Sequence, residues 1–196
     1  MLSLIIGQPR SGKSEYAERI VSNRAGSTVY VGTLPNFPVW RDTIRRHESR
    51  RPDSWDLLEL IGNPERDTEL ILEALDQYQN ILLDGIMVYV FQLMTVFDFD
   101  PSVLQRPVSV LVKRLASHTG NVVVVDQPSD GLRPLRAQRA LCYLHRSLAR
   151  RAHSLILIED GRATPLGRHE IVSVGPPKRR CKDDRRSNIR KLLCEK

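Results

Sequence analysis

The chain has 196 residues, 41% of them hydrophobic, and a mean hydropathy of −0.31. That is enough for one domain with a substantial core and too little for two large ones. No apolar run approaches the roughly 18–20 residues of a membrane span, and Met1–Ile6 is shorter than the about 7–15 apolar residues of a signal-peptide core, so a membrane or secreted protein is not expected. The net charge of +7 is lopsided, because residues 175–196 hold nine basic side chains against three acidic ones, about +6. The rest is almost neutral, and the pI of 9.7 gives no argument for a nucleic-acid-binding body.

In chain order, short β-rich apolar runs occur at Leu2–Ile6, Thr28–Val31, Ile81–Leu83, Val122–Val125 and Leu155–Ile158, the pattern of strands buried on both faces. Helical spacing of apolar residues marks Ser14–Ser22, Glu65–Tyr78 and Leu135–Ala152 as crossover helices. Leu34–Val39 and Phe97–Pro101 read as loops, and residues 163–174 have room for one or two edge strands. Gly175-Pro176-Pro177 then marks a break, giving one domain over residues 1–174 and a basic, disordered tail over 175–196. The tail has no aromatic residue for base stacking. The predicted class is α/β, a mainly parallel sheet flanked by helices with a ligand at the carboxyl ends of the strands.

Gly7-Gln8-Pro9-Arg10-Ser11-Gly12-Lys13-Ser14 matches G-x-x-x-x-G-K-[ST], after a predicted strand and before a predicted helix. The glycines let the backbone curl round an anion, and successive N–H groups and the helix N-terminus face the phosphates. Lys13 reaches the β/γ oxygens and Ser14 can ligate Mg²⁺. A second carboxylate at a strand end is needed for the metal shell; Asp84 after Ile81–Leu83 supplies one, and Asp126 after Val122–Val125 competes with it. GTP, ATP or both are the expected substrates.

Arg45-Arg46-His47-Glu48-Ser49-Arg50-Arg51 sets one imidazole among four guanidiniums. Alone this is a solvated helix face. The arginines also favour the neutral ring and could neutralise an approaching phosphate, which suits a nucleophilic histidine. Cys142, Cys181 and Cys194 form neither a metal spacing nor an even disulfide framework, so a reducing cytoplasm is expected. His118, His145, His153 and His169 are too scattered for a zinc set and are expected at the surface or at helix ends. Trp40 and Trp55 read as packing anchors, with Trp40 also near enough to Thr33–Val39 to line a cleft.

Arg10-Ser11-Gly12-Lys13-Ser14 with Ala17-Glu18, His47 with Arg51-Pro52 and Trp55, Glu59, and Leu82-Leu83-Asp84 together resemble the bifunctional adenosylcobinamide kinase / adenosylcobinamide-phosphate guanylyltransferase family of cobalamin biosynthesis. Gly131, Pro134 and Leu148-Ala149 extend the likeness over most of residues 1–160. The resemblance implies a RecA-like P-loop fold, a homo-oligomer that is trimeric in relatives, and two reactions on a corrinoid: phosphorylation of its aminopropanol hydroxyl, then transfer of GMP through a covalent adduct on the histidine corresponding to His47. It also implies nucleotide contacts from Gly7–Ser14, from Gly32, Thr33 and Leu34, from Glu48, Ser49, Arg50 and Arg51, and from Glu59 and Asp84.

The chain departs from the family pattern mainly outside the phosphate loop. Phe37–Thr43 stands where the family has an acidic Asp-x-Glu-Met stretch, and Met87, Tyr89, Phe91 and Gln92 stand where the family favours a threonine, an aromatic residue and Thr-Asn. Asp126-Gln127-Pro128-Ser129 replaces an Asn-Glu-Val-Gly sequence, and His145 aligns with an asparagine. Two alternatives therefore stand beside the resemblance: a non-catalytic nucleotide-binding paralogue, and a P-loop kinase with another small-molecule acceptor.

Overall fold

The computed structural model describes residues 1–34, 37–96, 101–128 and 135–166. Seven strands form one sheet: β1 (Leu2–Gly7), β2 (Thr28–Gly32), β3 (Asp56–Glu59), β4 (Asn80–Asp84), β5 (Asn121–Asp126), β6 (Ser154–Glu159) and β7 (Arg162–Leu166). Their order is β3-β2-β4-β5-β1-β6-β7. The first six are parallel, and β7 pairs antiparallel with β6 across the two-residue turn Asp160-Gly161. All five runs expected as strands are strands, and the edge strand expected after residue 163 is β7; residues 167–174 and the basic tail lie outside the described residues.

The helices are α1 (Lys13–Ser22), α2 (Arg41–Glu48), α3 (Pro64–Gln77), α4 (Ile86–Val96), α5 (Pro101–Ser117) and α6 (Leu135–Ala149), with a 3₁₀ turn at Pro38–Trp40. Alternation along the strands divides the core. Leu2, Leu4, Val31, Leu83, Val122 and Val124 face apolar residues of α3 to α6, whereas Ile5, Leu82, Val123 and Val125 face Ala17 and Val21 of α1. Burial on both faces is why the strands read as continuous apolar runs.

Local chemistry sets the helix starts. Asn63 caps α3 by accepting from the N–H groups of Glu65 and Arg66, Pro64 occupies the first turn, and the buried Asp67 carboxylate accepts from the N–H groups of Ile61 and Gly62 at 2.8 and 3.0 Å. The helix expected over Leu135–Ala152 stops at Ala149, because the chain must turn into β6 at Ser154.

Two expectations need correction. The loop reading of Leu34–Val39 fails at Pro38 and Val39, which begin the 3₁₀ turn, and that of Phe97–Pro101 fails at Pro101, which opens α5; residues 35–36 and 97–100 lie outside the described residues. Strand β3 and helix α2 gave no periodic signal for a shared physical reason: β3 is an edge strand with three of its four residues exposed, and α2 buries none of its residues.

Candidate active site

Strand β1 ends at Gly7, and the chain wraps through Gln8–Gly12 into α1. Arg10 and Gly12 take left-handed φ values of +64° and +87°, so the backbone bends twice in three residues, the kind of turn from which an anion-binding cradle is built. The Ser11 carbonyl accepts from Gly161 N–H at 3.1 Å, which ties the loop to the β6–β7 turn. Burial lowers the Lys13 ammonium from its ordinary value, opposed by Asp84, Asp126 and Glu15. A phosphate arriving there meets a cation already short of water.

The loop forms one wall of a cleft of about 900 Å³ at the carboxyl ends of β1, β2, β4 and β5. Pro9, Arg10, Gly12, Lys13 and Ser14 line it from the loop, Gly32, Thr33 and Leu34 from the end of β2, Glu59 from the end of β3, and Asp84 from the end of β4. Helix α2 and the turn after it bring His47, Arg50 and Arg51. Apolar side chains complete the wall: Phe37, Trp40, Leu57, Met87 and Phe91. Trp40 is thus a cleft residue, 40% exposed, and not the packing anchor expected, whereas Trp55 packs on the core beside α1.

His47 sits in a polar cluster that sequence spacing alone could not assemble. Its Nδ1 lies 3.2 Å from the Tyr30 hydroxyl, 3.3 Å from Arg50 Nη2, 3.4 Å from Glu18 Oε1 and 3.6 Å from Asp84 Oδ2. The Tyr30 hydroxyl donates to Asp84 Oδ2 at 3.0 Å, and burial and Asp84 hold it well above its usual pKa, so it stays a donor. Arg50 donates to both oxygens of Glu18, at 2.9 and 3.1 Å, and to Glu15 at 3.1 Å; Arg51 stacks 4.5 Å over the Tyr30 ring. Of the expected cluster of four guanidiniums, Arg46, Arg50 and Arg51 border the cleft and Arg50 reaches the ring, but carboxylates face the ring as well.

The two candidate strand-end carboxylates occupy different surroundings. Burial raises the Asp84 carboxyl above its usual range, against the pull of His47, hydrogen bonds from Ser14 and Tyr30, and Lys13. Asp126 also borders the cleft, but its Oδ1 accepts from the N–H groups of Met87 and Gln127 at 3.3 and 2.9 Å, and its Oδ2 lies 2.7 Å from His145 Nε2. His145, expected at the surface or a helix end, is wholly buried in α6. Both oxygens of Asp126 are therefore occupied by the fold, and Asp84 is the carboxylate beside Ser14.

Of the remaining sequence-predicted residues, Gly7 and Ser11 underlie the loop, and Gln8 supplies carbonyl contacts to Lys13 and Ser11. Thr33 lines the cleft, yet its hydroxyl donates inward to the carbonyls of Asp84 and Gly85 at 2.9 and 2.7 Å. Glu48 and Ser49 are exposed and do not line the cleft. Ser129–Pro134, which the resemblance uses, lie outside the described residues. The site roles of Tyr30, Glu15 and Glu18 escaped sequence reading: Tyr30 looked like a strand residue, and the two glutamates like the polar face of α1. The only signal was Glu18 recurring in the motif that carries the resemblance.

No curated protein matches the chain by sequence. Among solved structures, the chain is similar to a prototypical ATPase from the type III secretion system of pathogenic bacteria (TM-score 0.54, 14% identity, 80% of this chain and 50% of that one). It is also similar to the assembled ATPase EscN of the enteropathogenic E. coli type III secretion system (TM-score 0.55, 12% identity, 81% of this chain and 43% of that one). It spans half or less of their length, and at such identity the likeness establishes a shared P-loop ATPase fold. A family model described as cobinamide kinase / cobinamide phosphate guanyltransferase matches residues 3–166. With its phosphate loop, strand-end carboxylate and histidine all bordering one cleft, the chain belongs to the cobinamide kinase / cobinamide phosphate guanyltransferase family.

Proposed function

We propose that the protein phosphorylates the aminopropanol hydroxyl of adenosylcobinamide and then transfers GMP from GTP to the resulting phosphate through a covalent GMP adduct on His47. The observation that carries this reading is that His47 opens on the same cleft as Lys13 and Ser14, its Nδ1 only 3.6 Å from Asp84. One phosphate cradle can then serve both steps. In the first, Lys13 and the loop N–H groups hold the transferred phosphoryl group. In the second, an imidazole nitrogen attacks the α-phosphorus, the bond to the β-phosphate oxygen breaks, and pyrophosphate leaves with that electron pair.

The hydroxyl of Ser14 and the carboxylate of Asp84 suit Mg²⁺, a hard ion held by one or two protein oxygens plus substrate phosphates and water. The fit rests on the buried Asp84 carboxyl, whose ionisation the fold disfavours and a cation would relieve. Bound there, Mg²⁺ would neutralise charge on the phosphate oxygens. Among the described residues no group of three or more His, Cys, Asp or Glu side chains could hold a metal independently of a nucleotide.

The test is incubation of purified protein with Mg²⁺ and GTP labelled at the α-phosphate, then denaturation and intact-mass analysis. An acid-labile GMP adduct is expected in the native protein and absent in His47→Ala; Lys13→Ala is expected to lose nucleotide binding as well. GTP binding without an adduct would remove the guanylyltransferase reading.

A second reading has its own observation. Met87 and Phe91, which depart from the family pattern, line the cleft with Phe37, Trp40 and Leu57. That apolar wall suits a P-loop kinase acting on a different, more apolar acceptor. It predicts γ-phosphate transfer without an adduct. In either case we infer a cytoplasmic homo-oligomer, a trimer by family resemblance, with residues 175–196 as an appended basic tail; no helix among the described residues is long and apolar enough to cross a membrane. Sedimentation of the full chain measures the assembly.

A further inference from the structure

Helix α2 carries His47 but buries no residue of its own, so polar contacts must set the direction of the imidazole. Those contacts converge on Nδ1. Of its four neighbours, Arg50 can only donate, and the Tyr30 proton is committed to Asp84. Asp84 Oδ2 is the farthest, at 3.6 Å, and already accepts from Tyr30. The remaining acceptor is Glu18, whose side chain is 7% exposed and is gripped by Arg50 through both oxygens. Glu18 lies on α1, one turn beyond the phosphate loop, so its position is fixed by the element that binds the nucleotide.

We propose that Glu18 is the positioning residue for His47: its carboxylate accepts the Nδ1 proton, which fixes the tautomer and leaves Nε2 as the nucleophilic nitrogen. This rests on the covalent-adduct reading above. In the step itself the Nε2 lone pair forms the bond to the α-phosphorus, the bond to the bridging oxygen breaks, and pyrophosphate takes the electron pair. The Nδ1 proton stays on the ring, which becomes cationic as the bond forms, and the Glu18 carboxylate lies 3.4 Å from that charge. The division of labour is that of a carboxylate behind a catalytic histidine, in which the carboxylate orients and compensates without taking the proton. Arg50 holds the carboxylate in place through both oxygens and is itself shared with Glu15.

Nitrogen NMR of the ¹⁵N-histidine-labelled full chain reads the tautomer directly and does not depend on turnover. The expected result is a His47 ring protonated at Nδ1 in the native protein and a mixture of tautomers in Glu18→Gln. A native ring protonated at Nε2, with Nδ1 accepting from Arg50, would overturn the proposal. In single-turnover guanylylation, Glu18→Gln is expected to slow adduct formation roughly a hundredfold, short of the ~10⁴-fold loss seen when a triad aspartate becomes an amide, with GTP affinity within about twofold of native. A loss of affinity equal to the loss of rate would mark a structural role and count against it. If the native protein forms no adduct but its ring is protonated at Nδ1, the adduct reading fails and the positioning geometry survives. Should Glu18→Gln not fold, Arg50→Lys provides the second variant: it keeps the charge, loses the paired grip, and is expected to blur the tautomer in the same direction.

Discussion

At Asp84 a buried carboxyl is held above its usual range by desolvation, which four favourable neighbours do not offset. Because its folded value exceeds its unfolded one, the ionised group weakens the empty protein at neutral pH, and a neutral isostere removes that penalty. Asp84→Asn is therefore expected to raise the melting temperature of the nucleotide-free protein by about 2–4 °C, equivalent to roughly 1 kcal/mol in a domain of this size. Phosphoryl transfer should fall about a hundredfold. Calorimetry and a coupled kinase assay on one preparation check both. Glu18 shifts the other way: Arg50 and His47 outweigh burial and hold it below its ordinary value of 4.5. Its stabilising contribution is present above that value and lost as pH falls through the lower, folded one. Acid titration of the urea midpoint should therefore fall more steeply below pH ~4.5 in the native protein than in Glu18→Gln.

At the scale of elements, α2 and α3 are held by opposite means. Helix α3 has a buried apolar stripe, a capping asparagine and a proline in its first turn, so Asn63→Ala should cost about 1 kcal/mol, read from the chemical-denaturation midpoint. Helix α2 has no buried residue and is joined to α1 through Arg50 and its two glutamate partners. Arg50→Ala is expected to speed amide hydrogen exchange in residues 41–48 by about tenfold, as local opening, and to lower global stability by about 1–3 kcal/mol, because it strips both hydrogen bonds from a Glu18 side chain only 7% exposed. Hydrogen exchange with mass detection resolves the two. An arm held by charge and not by packing can shift His47 at the cleft without disturbing the sheet.

For the whole molecule, the parallel sheet both makes the core and fixes the cleft. Leu83 is wholly buried between β4 and the larger helical layer, and Leu83→Ala should cost about 3 kcal/mol. Gly7 is a stricter constraint: a β-carbon there would stand 2.7 Å from the Ile158 carbonyl oxygen and 2.4 Å from Ser11 Oγ, so Gly7→Ala should displace the phosphate loop from β6 and weaken nucleotide binding at least tenfold in calorimetric titration.

Much of this architecture could be read from the residues in advance, for reasons that follow from burial. Strands covered on both faces must be continuous apolar runs, so β1, β2, β4, β5 and β6 announced themselves, and the phosphate loop did so because its glycines and lysine answer to local backbone geometry. Asp84 was legible as a strand-end carboxylate. What lies at the edges and on the polar faces was not. Strand β3 and helix α2 bury too little to impose a period, and His145 looked like a surface histidine until Asp126 was found against it in the core. The cluster round His47 joins α1, β2, α2 and β4, residues up to 66 positions apart in the chain, from Glu18 to Asp84. Sequence alone determined the layers and the phosphate cradle, because burial and backbone conformation are written in local pattern. Only the tertiary structure decided which carboxylate meets the imidazole and which is spent on the core, because those choices depend on where the sheet order sets side chains that carry no pattern in common.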